Sequence, residues 1–282
     1  MRPRQWLKNG FVLAALIFSR SFTDPSLLGR ALAALGGFCL LSSAVYLGND
    51  VLDRDRDRRH PGRGLRPVAR GSLRPAPALL AAAVLAAAAL LLGFALDPGV
   101  GLVYAGYLVL MLLYCVLLKK LVLLDVLVIA LGFLLRVQAG GLAVGVGISE
   151  WLYLCTFLLA LFLALCKRRA ELGEGEATFS RASLDHYSPA FLDQLITVVT
   201  AAVIVAYALY TLDGRTRLLV SPLMPLTIPF VIYGLFRYLF QVSRRGTGGR
   251  PEVALTADPF LAGDIVLWVA AVLGILFWGG RS

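Results

Sequence analysis

Asn49-Asp50-Val51-Leu52-Asp53-Arg54-Asp55-Arg56-Asp57 closes an apolar run that begins near residue 27. A helix needs about 20 apolar residues to cross a bilayer core, so this run is a span, and it ends abruptly in carboxylates interleaved with arginines. Nowhere else in the chain is acid so concentrated. If the helix continues through the stretch, at roughly 100° per residue Asn49, Asp50, Asp53 and Asp57 share one arc of about 100°, and Asp55 points away. A carboxylate-lined face at a membrane mouth suits a hard, oxygen-seeking cation such as Mg²⁺. The plainer alternative is a solvated helix end with Asp and Arg paired at i, i+4, each pair contributing only tenths of a kcal/mol. Carboxylates stacked on one arc repel, however, unless a cation or ligand compensates them.

The rest of the chain fits a membrane protein. Hydrophobic residues make up 59% of its 282 residues and charged ones 16%, with a mean hydropathy of +0.80. Nine apolar segments can be marked, near residues 5–22, 27–52, 75–96, 99–118, 121–143, 149–170, 190–212, 220–241 and 261–280, most of them long enough to span. Asp24-Pro25, Asp97-Pro98-Gly99, Lys119-Lys120, Ser188-Pro189 and Asp213-Gly214 are among the breaks. No alternating strand pattern occurs. The expected fold is all-α: a polytopic integral membrane protein of nine transmembrane helices, forming a single catalytic domain over residues 1–282.

The net charge of +10 does not point to nucleic acid, because the 27 basic residues fall in short gaps between apolar runs. Twenty of them fall on the side that holds the N-terminus, five on the other, and Arg136 and Arg237 lie inside spans. The positive-inside rule then predicts a cytoplasmic N-terminus and cytoplasmic loops near 53–74, 119–120, 167–189 and 243–260. All the candidate chemistry lies on that face of the cell membrane. Cys39, Cys115, Cys155 and Cys166 sit in apolar runs without CxxC pairing and read as small hydrophobes. Met1-Arg2-Pro3-Arg4-Gln5-Trp6-Leu7-Lys8 reads as an interfacial lead-in to a retained helix.

Three further constellations stand on the cytoplasmic side. The loop His60-Pro61-Gly62-Arg63-Gly64-Leu65-Arg66-Pro67-Val68-Ala69-Arg70-Gly71 joins a helix-stopping proline to glycines and arginines able to grip phosphate, with Arg66 the best single candidate. A loop that merely holds topology is the competing reading. Tyr114, Lys119, Lys120 and Asp125 form a tight basic turn between two spans. On a continuous helix Arg136 lies about 20° around from Asp125 and roughly 16 Å deeper, so the two share a face. An arginine so deep marks a functional interior or a structural pair with buried polar groups. Lys167-Arg168-Arg169-Ala170-Glu171-Leu172 ends the sixth span, where Lys167 either pairs with Glu171 or offers a cation to a phosphate.

Asn49-Asp50-x-x-Asp53-x-x-x-Asp57, at the end of the second span, resembles the first aspartate-rich motif of the UbiA superfamily of intramembrane prenyltransferases. Four segments are similar to its decaprenyl-phosphate phosphoribosyltransferase branch: Arg2-Pro3-x-Gln5-Trp6-x-Lys8-Asn9; His60-Pro61 with Arg66-Pro67; Gly132-Phe133-x-x-Arg136-x-x-Ala139-Gly140; and Lys167-Arg168-Arg169-x-Glu171-Leu172. Thr227-Ile228-Pro229-Phe230 and Arg237-Tyr238 also match.

The resemblance implies helices around a central cavity, open to lipid and to the cytoplasm. It implies a transferase whose donor is 5-phosphoribosyl 1-diphosphate and whose acceptor is a polyprenyl phosphate, on the way to an arabinose donor for cell-wall polymer. Asp50, Asp53 and Asp57, supported by Asn49, would hold Mg²⁺ and act as the catalytic group. Arg66, Lys119, Lys120 and Lys167 would meet the ribose 5-phosphate or the lipid phosphate, and Gln5 and Lys8 the lipid headgroup. Tyr114, Asp125 and Arg136 complete the implied substrate-binding set. Ordinary superfamily members carry a second paired-aspartate motif, of which this chain keeps only Asp125. That departure favours phosphoribosyl transfer over the alternative, prenyl transfer to an aromatic acceptor. A transporter would show more ionisable groups in the spans than Asp125, Arg136, Arg237 and Asp264. Partners are thus the donor, the polyprenyl phosphate and the membrane, with room for a homo-oligomer.

Overall fold

A computed structural model of the chain describes residues 3–19, 23–59, 62–173, 183–245 and 257–278, and every regular element among them is helical. Half of the eight apolar helices among these residues start in the same way. Asp24, Asp97, Ser188 and Asp258 each accept backbone amides of the first turn, and each is followed by a proline at the first helical position. The cap satisfies an orphan N–H, and proline has none to lose. Ser26 and the Leu27 amide hold the Asp24 carboxyl below the usual carboxylate range. Arg237 does the same for Asp258.

The chain packs as two compact units. The first holds a segmented N-terminal run (α1, Pro3–Trp6; a 3-10 stretch, Leu7–Leu13; α2, Ala14–Phe18), then α3 (Pro25–Leu52), α4 (Arg54–Arg59), α5 (Pro75–Leu96), α6 (Pro98–Val116) and α7 (Leu124–Val144). Helix α3 packs on α5, α6 and α7, and the N-terminal run lies on α3 and α7. At the centre, Phe38 meets both Tyr104 and Tyr107 edge-on, with ring centroids 5.0 Å apart. Leu80 and Leu91 of α5 and Leu102 of α6 stay exposed, as lipid-facing side chains do. Helix α7 ends at Gly145 (φ 70°), where Val146 N–H returns to the Gly141 carbonyl and Gly145 N–H to Leu142.

The second unit holds α8 (Glu150–Gly173), α9 (Pro189–Leu212), α10 (Gly214–Leu219), α11 (Ile228–Arg245, led in by a 3-10 turn at Met224–Thr227) and α12 (Pro259–Trp278). Helices α8 and α9 pack together, as do α11 and α12. Arg237, expected inside a span, donates from Nε to Asp258 at 2.8 Å, and Gln241 donates to the same carboxylate at 3.0 Å. One acid thus caps α12 and neutralises the arginine of α11.

Among the described residues eight helices are long and apolar enough to cross a membrane. The difference from nine lies in the first segment, expected as one span over 5–22. It winds instead as two short α pieces around seven 3-10 residues. The cause is tertiary. A Cβ on Gly140 of α7 would lie 1.8 Å from the Val12 carbonyl oxygen, so the N-terminal backbone rests directly on that glycine.

Candidate active site

Helix α3 ends at Asp53 (φ −93°, ψ 6°), and α4 resumes at once. The Asp53 amide bonds the Asn49 carbonyl, and the Asp57 amide bonds Asp53. This near-continuity brings the acidic face together as the arc predicts, while the Asp55 side chain is 86% exposed. The carboxylates do not form one cage: among the described residues no three His, Cys, Asp or Glu converge as a metal-ion group. They form two half-sites, each closed by a cation.

In the first half-site, Arg66 Nη1 lies 3.2 Å from Asp50 Oδ1 and 2.5 Å from Asp57 Oδ2. Its loop is fastened to α4 by Arg58 Nε, which donates to the Ala69 carbonyl at 2.9 Å, and by buried Val68 and Ala69. Sequence alone offered no reason to single out Arg58 among its neighbours. His60 and Pro61, singled out with Arg66, lie outside the described residues. In the second half-site, buried Lys119 places Nζ 2.6 Å from Asp53 Oδ1 and 3.3 Å from Asn49 Oδ1. Lys119 belongs to a tight 3-10 turn, Leu118–Lys120, between α6 and α7. The same connector contains Leu123 at φ 66°, a left-handed conformation costly for a branched side chain.

The other expected site residues divide. Asp125 is fully buried in the first turn of α7, and Tyr114 is buried on α6. Lys120 is exposed. Lys8 Nζ donates to Gln5 Oε1 at 2.6 Å on the N-terminal run. Arg136 shares the α7 face with Asp125, and its nitrogens are committed to protein groups. Nε donates to Asn9 Oδ1 at 2.9 Å, Nη1 to the Gly132 carbonyl at 2.7 Å and Nη2 to Tyr107 Oη at 2.9 Å. The rings of Phe38, Tyr107 and Phe133 surround the guanidinium at about 5 Å. Arg136 thus fastens the N-terminal run to α7, the structural partnership weighed beside a substrate role. Asn9, which also donates to Ser42, was visible only as part of a motif and not as the partner of Arg136.

A family model described as the UbiA prenyltransferase family matches residues 10–252. The chain belongs to this family. It is a multi-pass membrane protein, as other UbiA proteins are. Over 97% of its length it is 34% identical to the decaprenyl-phosphate phosphoribosyltransferase of Corynebacterium glutamicum, 84% of which is covered. The Mycobacterium tuberculosis protein of the same name is also 34% identical, across 99% of this chain and 93% of its own. Among solved structures, a UbiA homologue from Archaeoglobus fulgidus bound to GPP and Mg²⁺ superposes with a TM-score of 0.75 at 20% identity, covering 98% of this chain and 97% of that one. The same homologue bound to DMAPP and Mg²⁺ gives 0.74, covering 98% and 96%.

The remaining expected residue, Lys167, stands in the second unit on α8. Its Nζ lies 4.0 Å from Glu171, which also receives fully buried Arg168, while Arg169 pairs with Asp193 of α9 at 2.8 Å. This UbiA chain thus uses much of the Lys167-Arg168-Arg169-x-Glu171 segment to lock α8 internally and to α9.

Whether the acidic face suits a divalent ion is answered by its donor set. Two pairs of hard oxygens each already converge on one cationic nitrogen. Mg²⁺ asks for no more, since it is held by one or two carboxylates with waters and substrate phosphates completing the shell.

Proposed function

We propose that the protein transfers the 5-phosphoribosyl group from 5-phosphoribosyl 1-diphosphate to a polyprenyl phosphate, releasing pyrophosphate. The observation that carries this reading is the end-to-end similarity to decaprenyl-phosphate phosphoribosyltransferases. The solitary Asp125 supports it, because the pair that would define a second aspartate motif is absent and Asp125 itself is buried.

Asp50, Asp53 and Asp57, with Asn49, would hold Mg²⁺, which when bound supplies positive charge to the diphosphate. Arg66 and Lys119 are the cations already at the cluster, and their nitrogens suit the phosphates of the donor. Exposed Lys120 adds positive charge at the same turn. In the reaction the bond from ribose C1 to the diphosphate oxygen breaks, and a new bond forms from C1 to an oxygen of the lipid phosphate. The acceptor needs no general base: a phosphate monoester has a second pKa near 6 and is already largely anionic. Catalysis then consists of aligning two anions and offsetting their charge. Gln5 and Lys8 suit the lipid headgroup. The basic loops favour placing this chemistry at the cytoplasmic face of the cell membrane.

Purified protein given polyprenyl phosphate, labelled phosphoribosyl diphosphate and Mg²⁺ should yield phosphoribosylated lipid and pyrophosphate. No such product, together with transfer from a prenyl diphosphate to an aromatic acceptor, would replace this reading by prenyl transfer. Asp50→Ala and Asp53→Ala should each lower turnover by about a hundred- to a thousandfold, the scale of losing a key electrostatic group, with the protein still folded. Wild-type rates in either variant would remove the metal assignment.

A further inference from the structure

Ser183 lies in the connection between α8 and α9, just before a 3-10 turn at Leu184–His186, yet it packs with the first unit. Its side chain is fully buried. The hydroxyl points at two acceptors, the Lys119 carbonyl oxygen at 3.1 Å and Asp125 Oδ2 at 3.3 Å. A serine hydroxyl has one hydrogen to give, so a single donor ties the middle of the α6–α7 connector to the first turn of α7.

That connector needs holding. It leaves helical geometry at Leu117 (φ −121°, ψ −59°) and passes through Leu123 at φ 66°. A leucine at positive φ persists only where its surroundings impose the path. The residue whose carbonyl Ser183 grips is the one whose ammonium group sits 2.6 Å from Asp53. A shift of the turn would carry Lys119 Nζ away from the acidic cluster.

We propose that Ser183 is a positioning residue for Lys119, clamping the connector through the Lys119 carbonyl and Asp125 so that the ammonium group is presented to the anionic cluster and, through it, to the donor phosphates. The last part rests on the functional reading above; the clamp itself does not. Nothing in the local sequence Ser183-Leu184-Asp185 announces this role, because the partners are 64 and 58 residues away.

The test compares wild type with Ser183→Ala and Ser183→Cys, the second nearly filling the serine volume while donating poorly. The first readout is the rate of amine acylation at Lys119, measured by peptide mass spectrometry without substrates. The second is KM for phosphoribosyl diphosphate against KM for the lipid acceptor. Both variants should label Lys119 roughly fivefold faster and raise the donor KM by a similar factor, the scale of one lost hydrogen bond. The acceptor KM should hold, and the melting temperature should fall by no more than about 2–4 °C, the scale of the same lost bond. In a Lys119→Met background Ser183→Ala should add nothing to the donor KM. Unchanged Lys119 labelling in Ser183→Ala, wild-type behaviour of Ser183→Cys, or a lowered melting temperature with unaltered labelling would each overturn the proposal. If wild type makes no phosphoribosylated lipid at all, the functional reading fails, and the labelling comparison still decides the clamp.

Discussion

Arg66 illustrates how one side chain can serve opposite ends. Its guanidinium offsets Asp50 and Asp57, groups that would otherwise repel each other across a partly buried site. A divalent ion must compete with that guanidinium for the same oxygens, whereas a diphosphate gains from its presence. Arg66→Gln should therefore tighten Mn²⁺ binding in the donor-free protein, read by electron paramagnetic resonance, and weaken donor binding. Arg66 is 23% exposed and its two carboxylates 9% and 2%; a charge-assisted bond of this kind contributes about 1.5–3 kcal/mol, or roughly tenfold or more in ion affinity. A fall in both affinities would show that Arg66 only holds the loop. The acids and Arg66 were readable because their chemistry is local. The pairing of Arg66 with Asp50 and Asp57 was not, since loop closure over 16 and 9 residues depends on Arg58 and a buried Val68-Ala69 pair.

At the level of elements, the four caps followed by proline explain why the segment starts agree with simple turn signals. Three of those signals stand beside apolar runs in the sequence, and Asp258-Pro259 works in the same way. The N-terminal run is the element whose conformation the apolar pattern did not predict. Its register follows from Val12 resting on Gly140 and from Asn9 meeting Arg136. The segment Gly132-Phe133-x-x-Arg136-x-x-Ala139-Gly140 is thus a docking surface for that run: Phe133 packs edge-on against Phe11 at 5.0 Å. Gly140→Ala should lower stability by about 1–3 kcal/mol, as overpacking does. Gly36→Ala, with no atom within 4 Å of the new methyl, is the neutral control. Detergent-solubilised melting temperatures compare the two. Equal melting temperatures would mean that the N-terminal run does not depend on this contact.

For the whole molecule, the asymmetry of basic residues makes a directional prediction. With single cysteines placed in a cysteine-free background, Lys120→Cys should react with an impermeant maleimide only from the cytoplasmic side, and Arg217→Cys only from the opposite side. Both positions are exposed. Labelling from the reverse sides would invert the orientation and move the acidic cluster away from a soluble cytoplasmic donor. A cytoplasmic N-terminus with these loops would also require the N-terminal run to cross. Seven 3-10 residues and nine α-helical ones reach about 27 Å, close to the roughly 30 Å hydrocarbon core.

Hydropathy and residue chemistry by themselves determined that this chain is helical, lies in a membrane and gathers carboxylates at the end of its second span, because span length and charge are properties of contiguous residues. Tertiary structure alone decided which cation sits on which acid. It made Arg136 the fastening of the N-terminal run, and it brought Ser183 onto the Lys119 turn. These assignments depend on side chains that meet across tens of residues, where no periodicity in the sequence reaches and only the packed backbone sets the distance.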